Sequence, residues 1–172
     1  MMEISLGVLF WGFVMAYCVH VVEEVAVGEG FIEMMRTTFY PEYSGRMFFG
    51  FNLMIFLVFC SGIMVFEVLG GMWVIWPLSF AFMFVTNGIW HLLQTIVTRK
   101  FAPGLITSPI YWILMGFIVR YFLVPGEILL LHFLVGVVLG TFITLVTFLL
   151  AYRFRRQMKT ASKTRRNAKR NH

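Results

Sequence analysis

The sequence predicts an all-α polytopic membrane protein, a bundle of five transmembrane helices followed by a basic cytoplasmic tail. Three observations carry this. Of 172 residues, 60% are hydrophobic and only 13% charged, whereas a soluble domain has roughly 45–50% apolar and about 25% charged residues. Five stretches qualify as the runs of about 20 mainly apolar residues that a bilayer core requires. The breaks between them are turn-like: Gly70-Gly71, Ala102-Pro103-Gly104 and Pro125-Gly126. This apolar mass excludes an ordinary soluble fold and excludes disorder over most of the chain. The absence of Asp excludes EF-hand loops, Walker-B sites and Ser-His-Asp triads. The only cysteines, Cys18 and Cys60, both lie in apolar runs, which excludes a disulfide framework or a Cys-rich zinc module.

The first span runs over about residues 4–22. It lacks a basic leading region and a small-residue cleavage site, so it is read as a span and not as a signal peptide. Residues 23–46 are too polar to cross. Within them, the mixture of Phe31, Ile32, Met34 and Met35 with Glu33 and Arg36 predicts a short interfacial helix on the cytoplasmic face. The second span covers about 47–69. The third covers about 72–97, with Trp73 and Trp76 as interface anchors and Pro77 in its first turns, where proline is tolerated. The fourth covers about 109–124 and the fifth about 128–152. On the fifth, Gly136 and Gly140, followed by Thr144 and Thr147, predict a close helix contact, within one chain or between two. Residues 1–152 thus form the membrane domain and 153–172 the tail.

Charge orients the bundle. Arg36 and Arg46 follow the first span, Arg99 and Lys100 the third, and nine of the 14 Lys and Arg residues lie after Ala151. All fall on one side if the N-terminus is outside and the C-terminus cytoplasmic. Only Arg120, inside the fourth span, departs. The net charge of +6 belongs to the tail. On a membrane protein such a tail predicts contact with anionic lipid headgroups, with no nucleic-acid partner.

Ionisable groups within membrane spans are costly and mark function or a structural pair. At the outer depth, Arg120 needs a partner, and Glu67 is expected to supply it as a structural ion pair, with Glu127 as the alternative partner at the boundary and His132 able to join. At the inner depth lie His20, Glu23 and Glu24 on the first span, Asn87, His91 and Gln94 on the third, and Asn52 on the second. His20 and Glu24 are four residues apart, as are Asn87 and His91, so each helix carries a polar stripe. Lipid cannot solvate these stripes, so they should face each other. Two His and one carboxylate with an open position form a catalytic zinc shell, and a second carboxylate serves as base. The expected ligands of a divalent transition metal such as zinc are His20, Glu24 and His91. Glu23 is the expected general base, with its role exchangeable with Glu24, and Asn87 orients a ligand or the substrate carbonyl.

The strings HVVEEVAVGEGF (20–31), NGIWH (87–91) and RKFAPGLITS (99–108) resemble the HXXEE-motif family of small, mostly bacterial integral membrane proteins, over roughly residues 10–120. The resemblance implies an enzyme whose reaction is unassigned, with His20, Glu23, Glu24, Asn87 and His91 as signature positions. The chain departs from the family after the paired acids, where Val25 and Gly28-Glu29-Gly30-Phe31 replace an aromatic and a Pro-Gly-Gly-Phe-like turn.

The leading expectation is a metal-dependent membrane hydrolase acting on a lipid or amphipathic substrate at the cytoplasmic side. An alternative is a metal-free Glu/His acid–base isomerase of an unsaturated lipid. Its five-helix size and inward Glu/His groups are similar to the emopamil-binding sterol isomerase group at the level of fold. A haem held between His20 and His91 and a proton-coupled carrier are further alternatives.

Overall fold

The computed structural model describes residues 5–27, 30–38, 40–147 and 149. The helices are α1 (Leu6–Ala26), α2 (Phe31–Thr38), α3 (Gly45–Leu69), α4 (Ile75–Thr98) and α5 (Ser108–Ile118), then α6 (Leu130–Thr147). No strand occurs among the described residues. The basic tail and the Gly28-Glu29 turn lie outside the described residues.

Local chemistry sets the boundaries. Ser5 and Ser44 cap α1 and α3, their hydroxyls accepting from the amides of Val8 and Met47, a standard way to satisfy free first-turn donors. α3 stops at Gly70-Gly71, whose positive φ values of 62° and 54° suit residues without a Cβ. A short 3₁₀ turn, Gly71–Val74, leads into α4. α2 is the short amphipathic helix expected from residues 30–46. Its Phe31 packs on Phe48 of α3, with ring centroids 5.7 Å apart.

Four helices are long and apolar enough to cross a membrane: α1, α3, α4 with its 3₁₀ lead-in, and α6. The expected fourth span is not among these four. The expected fourth span corresponds to Ser108–Leu123, a shorter apolar helix. It has eleven α residues closed by a five-residue π turn. At about 1.5 Å per residue it reaches roughly 24 Å, short of an apolar core of about 30 Å. Pro109 fixes its start, and Pro125-Gly126 prevents its extension.

The core is aromatic. Tyr111 of α5 stacks between Phe13 of α1 and Phe84 of α4, with centroids 5.9 Å and 5.3 Å away. Tyr17 of α1 stacks on Phe84 from another side, and Phe59 of α3 meets Phe84 edge-on. Such pairs add about 0.5–1.5 kcal/mol each beyond area burial. The close contact expected of Gly136 and Gly140 occurs within the chain. A Cβ on either would press into Leu78, Ser79, Phe82 or Met83 of α4, and the hydroxyls of Thr144 and Thr86 meet at 2.8 Å.

The outer ion pair does not form. Glu67 Oε1 accepts instead from Trp11 Nε1 at 3.0 Å, and the Arg120 guanidinium lies 5.6 Å from the Tyr121 ring centroid. Both Glu67 and Arg120 are exposed on the bundle surface. Glu67 thus bonds to α1, and Arg120 lies against the ring of its own neighbour.

Candidate metal centre

The two four-residue spacings place their side chains as helix geometry requires. α1 presents His20 and Glu24, and α4 presents Asn87 and His91, at one end of the bundle. The ligand atoms of His20, Glu24 and His91 all lie within 4.8 Å of one another. Glu24 Oε1 is 3.5 Å from His20 Nε2 and 3.4 Å from His91 Nε2. The Asn87 amide is 3.2 Å from His20 Nε2 and 3.1 Å from His91 Nε2. The imidazoles are only 1% exposed and Glu24 6%.

A third element seals the cluster. The chain between α4 and α5 folds over the imidazoles at Gly104, whose φ is +95°. A Cβ there would lie 2.7 Å from His20 Cε1 and 2.8 Å from His91 Nε2. Only glycine fits, on both conformational and steric grounds. The other boundary of the site is the aromatic core, with Tyr111 edge-on to His20 at 5.5 Å.

Glu23 holds that covering segment. Its Oε1 accepts from the amides of Gly104 (3.0 Å) and Ile106 (2.8 Å). Its Oε2 accepts from the Thr107 amide (2.8 Å) and hydroxyl (2.7 Å). A carboxylate offers about four lone-pair positions, and here all four are used. The same Thr107 hydroxyl lies 2.7 Å from His20 Nδ1. It has one proton, given to Glu23, so it accepts from His20 Nδ1–H. That chain of contacts fixes the His20 tautomer and leaves Nε2 with a lone pair facing Glu24 and His91. A second hydrogen bond on the outward nitrogen is how ligand histidines are normally oriented.

Two imidazoles, one carboxylate and one amide therefore converge, not the two carboxylates and two amides expected. Glu23 turns to the covering segment. Gln94 turns to α2, where Nε2 contacts Met34 Sδ. Asn52 bonds the Tyr17 hydroxyl and the Phe48 carbonyl. Glu24 Oε1 and the Asn87 amide fill the space between the imidazoles, which leaves no slot for a haem macrocycle. Thr107 and Gly104 went unrecognised in the sequence. Gly104 reads there as an ordinary turn residue after proline, and Thr107 has no motif of its own.

Tyr43, between α2 and α3, has its hydroxyl pushed up to about 12, first by burial and then by the Glu24 charge. It stays a neutral donor throughout the physiological range.

Fold and site together define an all-helical membrane protein whose bundle encloses a His-Glu-His donor set capable of holding a metal ion. Residues 11–119 match the family described as proteins of unknown function with an HXXEE motif, and the chain belongs to that family. The matched span contains the motif itself, His20 to Glu24, with Asn87, His91, Gly104 and Thr107. No curated protein and no solved structure matches the chain.

Proposed function

We propose that this protein is a membrane-embedded, metal-dependent hydrolase acting on a lipid or other amphipathic substrate at the cytoplasmic side. One observation supports it above the rest. His20 Nε2, His91 Nε2 and Glu24 Oε1 converge, and the Asn87 amide is the single donor group that reaches both imidazole nitrogens. Three electron-pair donors around so few protons are electrostatically unfavourable in a buried site. A divalent cation removes the conflict, and zinc suits a two-His, one-carboxylate set.

Bound there, the metal would polarise an ester or amide carbonyl and make water a better nucleophile. The remaining work falls to the chain. Thr107 and Glu23 hold His20 in its ligating tautomer. Gly104 lets the covering segment close and exclude water. Glu23 has no free lone pair for a proton, so in this proposal it positions the site, and the base is Glu24. Glu24 Oε1 faces both imidazole nitrogens, and its second oxygen is the proton acceptor in this proposal. This departs from the expectation, in which Glu23 is the base or exchanges roles with Glu24: in this proposal Glu24 is both ligand and proton acceptor.

Ser108–Leu123 serves in this proposal as a short fifth crossing, which puts the N-terminus outside and the C-terminus in the cytoplasm of a cell-membrane protein. The site then lies at the cytoplasmic boundary with Arg36, Arg46, Arg99 and Lys100, and the tail meets anionic headgroups. The test is elemental analysis of the purified full chain after zinc loading and removal of free metal. Wild type should retain about one equivalent per chain and His91→Ala none. A wild-type protein that retains none refutes the metal centre. The contact of Glu24 with both imidazoles favours one second function, a metal-free acid–base isomerase in which these groups share a proton. An active protein free of metal would establish it.

A further inference from the structure

We infer that Asn87 is itself a ligand of the proposed centre, its side-chain oxygen closing a four-coordinate His20-Glu24-His91-Asn87 shell until substrate displaces it. This rests on the metal centre proposed above and adds the occupant of its fourth position.

The separations support it. Around a tetrahedral zinc with bonds of about 2.0–2.1 Å, ligand atoms lie about 3.3–3.4 Å apart. The Asn87 amide is 3.2 Å and 3.1 Å from the two Nε2 atoms, and Glu24 Oε1 is 3.5 Å and 3.4 Å from the same two. These are four of the six edges of such a shell, those from Asn87 being measured at Nδ2, and they bracket the tetrahedral value, while the donor atoms of His20, Glu24 and His91 lie within 4.8 Å of one another. Asn87 thus stands at a corner of the ligand set, opposite Glu24 across the pair of imidazoles.

The side it approaches from distinguishes a ligand from a supporting group. A residue that supports a ligand histidine bonds the outward ring nitrogen, as Thr107 does at His20 Nδ1. Asn87 instead reaches the inward nitrogen of both histidines. With no cation between them, the NH₂ group faces the two lone pairs and donates to each. A cation reverses that preference. The two ends of a primary amide are nearly the same size, so a half-turn of the side chain brings Oδ1 to the same corner.

The chemistry of the displacing group follows. A neutral amide oxygen is the weakest donor in the set. The group that replaces it without moving the other ligands is a second carbonyl oxygen, that of an ester or amide substrate.

The test uses the full chain in detergent micelles, with zinc and cobalt(II) as probes and competition against a chelator. Asn87→Ala should weaken zinc binding by about 100-fold or more, beyond or at the upper end of the range for groups that only support a ligand. Its cobalt absorption should shift in position and intensity, as water replaces the amide oxygen in the fourth position. Asn87→Asp, close in shape and offering an oxygen, should restore both. Unfolding of the metal-free variants separates these effects from a folding defect. A cobalt spectrum unchanged in Asn87→Ala overturns the inference, whatever the affinity, because the fourth ligand is then something else. If wild type binds neither ion, the metal centre itself fails and takes this inference with it. If wild type binds and Asn87→Ala matches it, only the fourth ligand fails.

Discussion

Replacing Glu23 by Gln tests the division of labour between the paired acids. The change keeps the shape and converts one acceptor oxygen into a donor NH₂. The two acceptor positions on that oxygen are lost, whichever way the amide turns. If the NH₂ faces Gly104 and Ile106, two backbone amides point at a donor. If it faces Thr107, the threonine amide is stranded, and the hydroxyl must now accept from the new NH₂ group and send its own proton elsewhere. The nearest acceptor for that proton is His20 Nδ1, 2.7 Å away. Accepting there moves the imidazole proton to Nε2 and removes the lone pair that faces Glu24 and His91. A buried donor left without a partner costs about 1–3 kcal/mol, and a hydrogen bond to a charged group contributes about 1.5–3 kcal/mol. One stranded amide plus one lost charge-assisted bond sum to roughly 2.5–6 kcal/mol. For a chain of this size that is a fall in Tm of roughly 5–24 °C. Zinc affinity should fall about 10–100-fold with the loss of His20 orientation. Thermal unfolding and zinc titration of the purified variant measure both. A Glu23→Gln protein with wild-type Tm and wild-type zinc affinity but no turnover would refute the reasoning and make Glu23 the general base.

Other expected outcomes follow from single contacts. Gly104→Ala places a Cβ 2.7 Å from His20 Cε1 at a φ of +95°, so zinc retention should be lost and Tm lowered by several degrees, both read from the same two assays. Arg120→Ala should leave stability within about 0.5 kcal/mol, the usual range for a surface change, because Arg120 is exposed and holds no ion pair among the described residues. A large drop in Tm would restore the inter-helix pairing that the structure does not show. Gly140→Leu should separate α6 from α4, since a Cβ there already meets Ser79, Phe82 and Met83, and should appear as poor yield and early unfolding. Zinc should be released on acidification, because each imidazole must keep a lone pair to bind it. Binding that is flat across the titration range of histidine would contradict the ligand set.

The parts of this molecule legible in the sequence are those that one helix decides for itself. His20 with Glu24, and Asn87 with His91, sit four residues apart, and a 3.6-residue period leaves no freedom about sharing a face. Lipid then leaves the two polar faces only each other. The amphipathic α2 and the Gly136-Gly140 contact were legible for the same reason. The parts that stayed hidden are those that depend on which segment crosses which. The four-residue rule treats Glu23 and Glu24 as neighbours on nearly the same face and cannot say that one turns to the metal position and the other to a loop 81 to 84 residues away. Thr107 has no periodicity to betray it, since its role exists only where Glu23 and His20 are already in place. Arg120 shows the opposite error. The rule that a buried cation needs a carboxylate is sound, but depth in the sequence is not burial in the fold. On the bundle surface, Arg120 lies beside a tyrosine ring and Glu67 binds a tryptophan. The same distinction bears on the expected fourth span. Hydropathy measures how apolar Ser108–Leu123 is, whereas its place is set by what it carries: Thr107 and Ser108 at its start, tied to Glu23 and Gly104, and Tyr111 one turn later, edge-on to His20. Its first turn is thus anchored beside the cover over His20 and His91, a role that hydropathy does not measure.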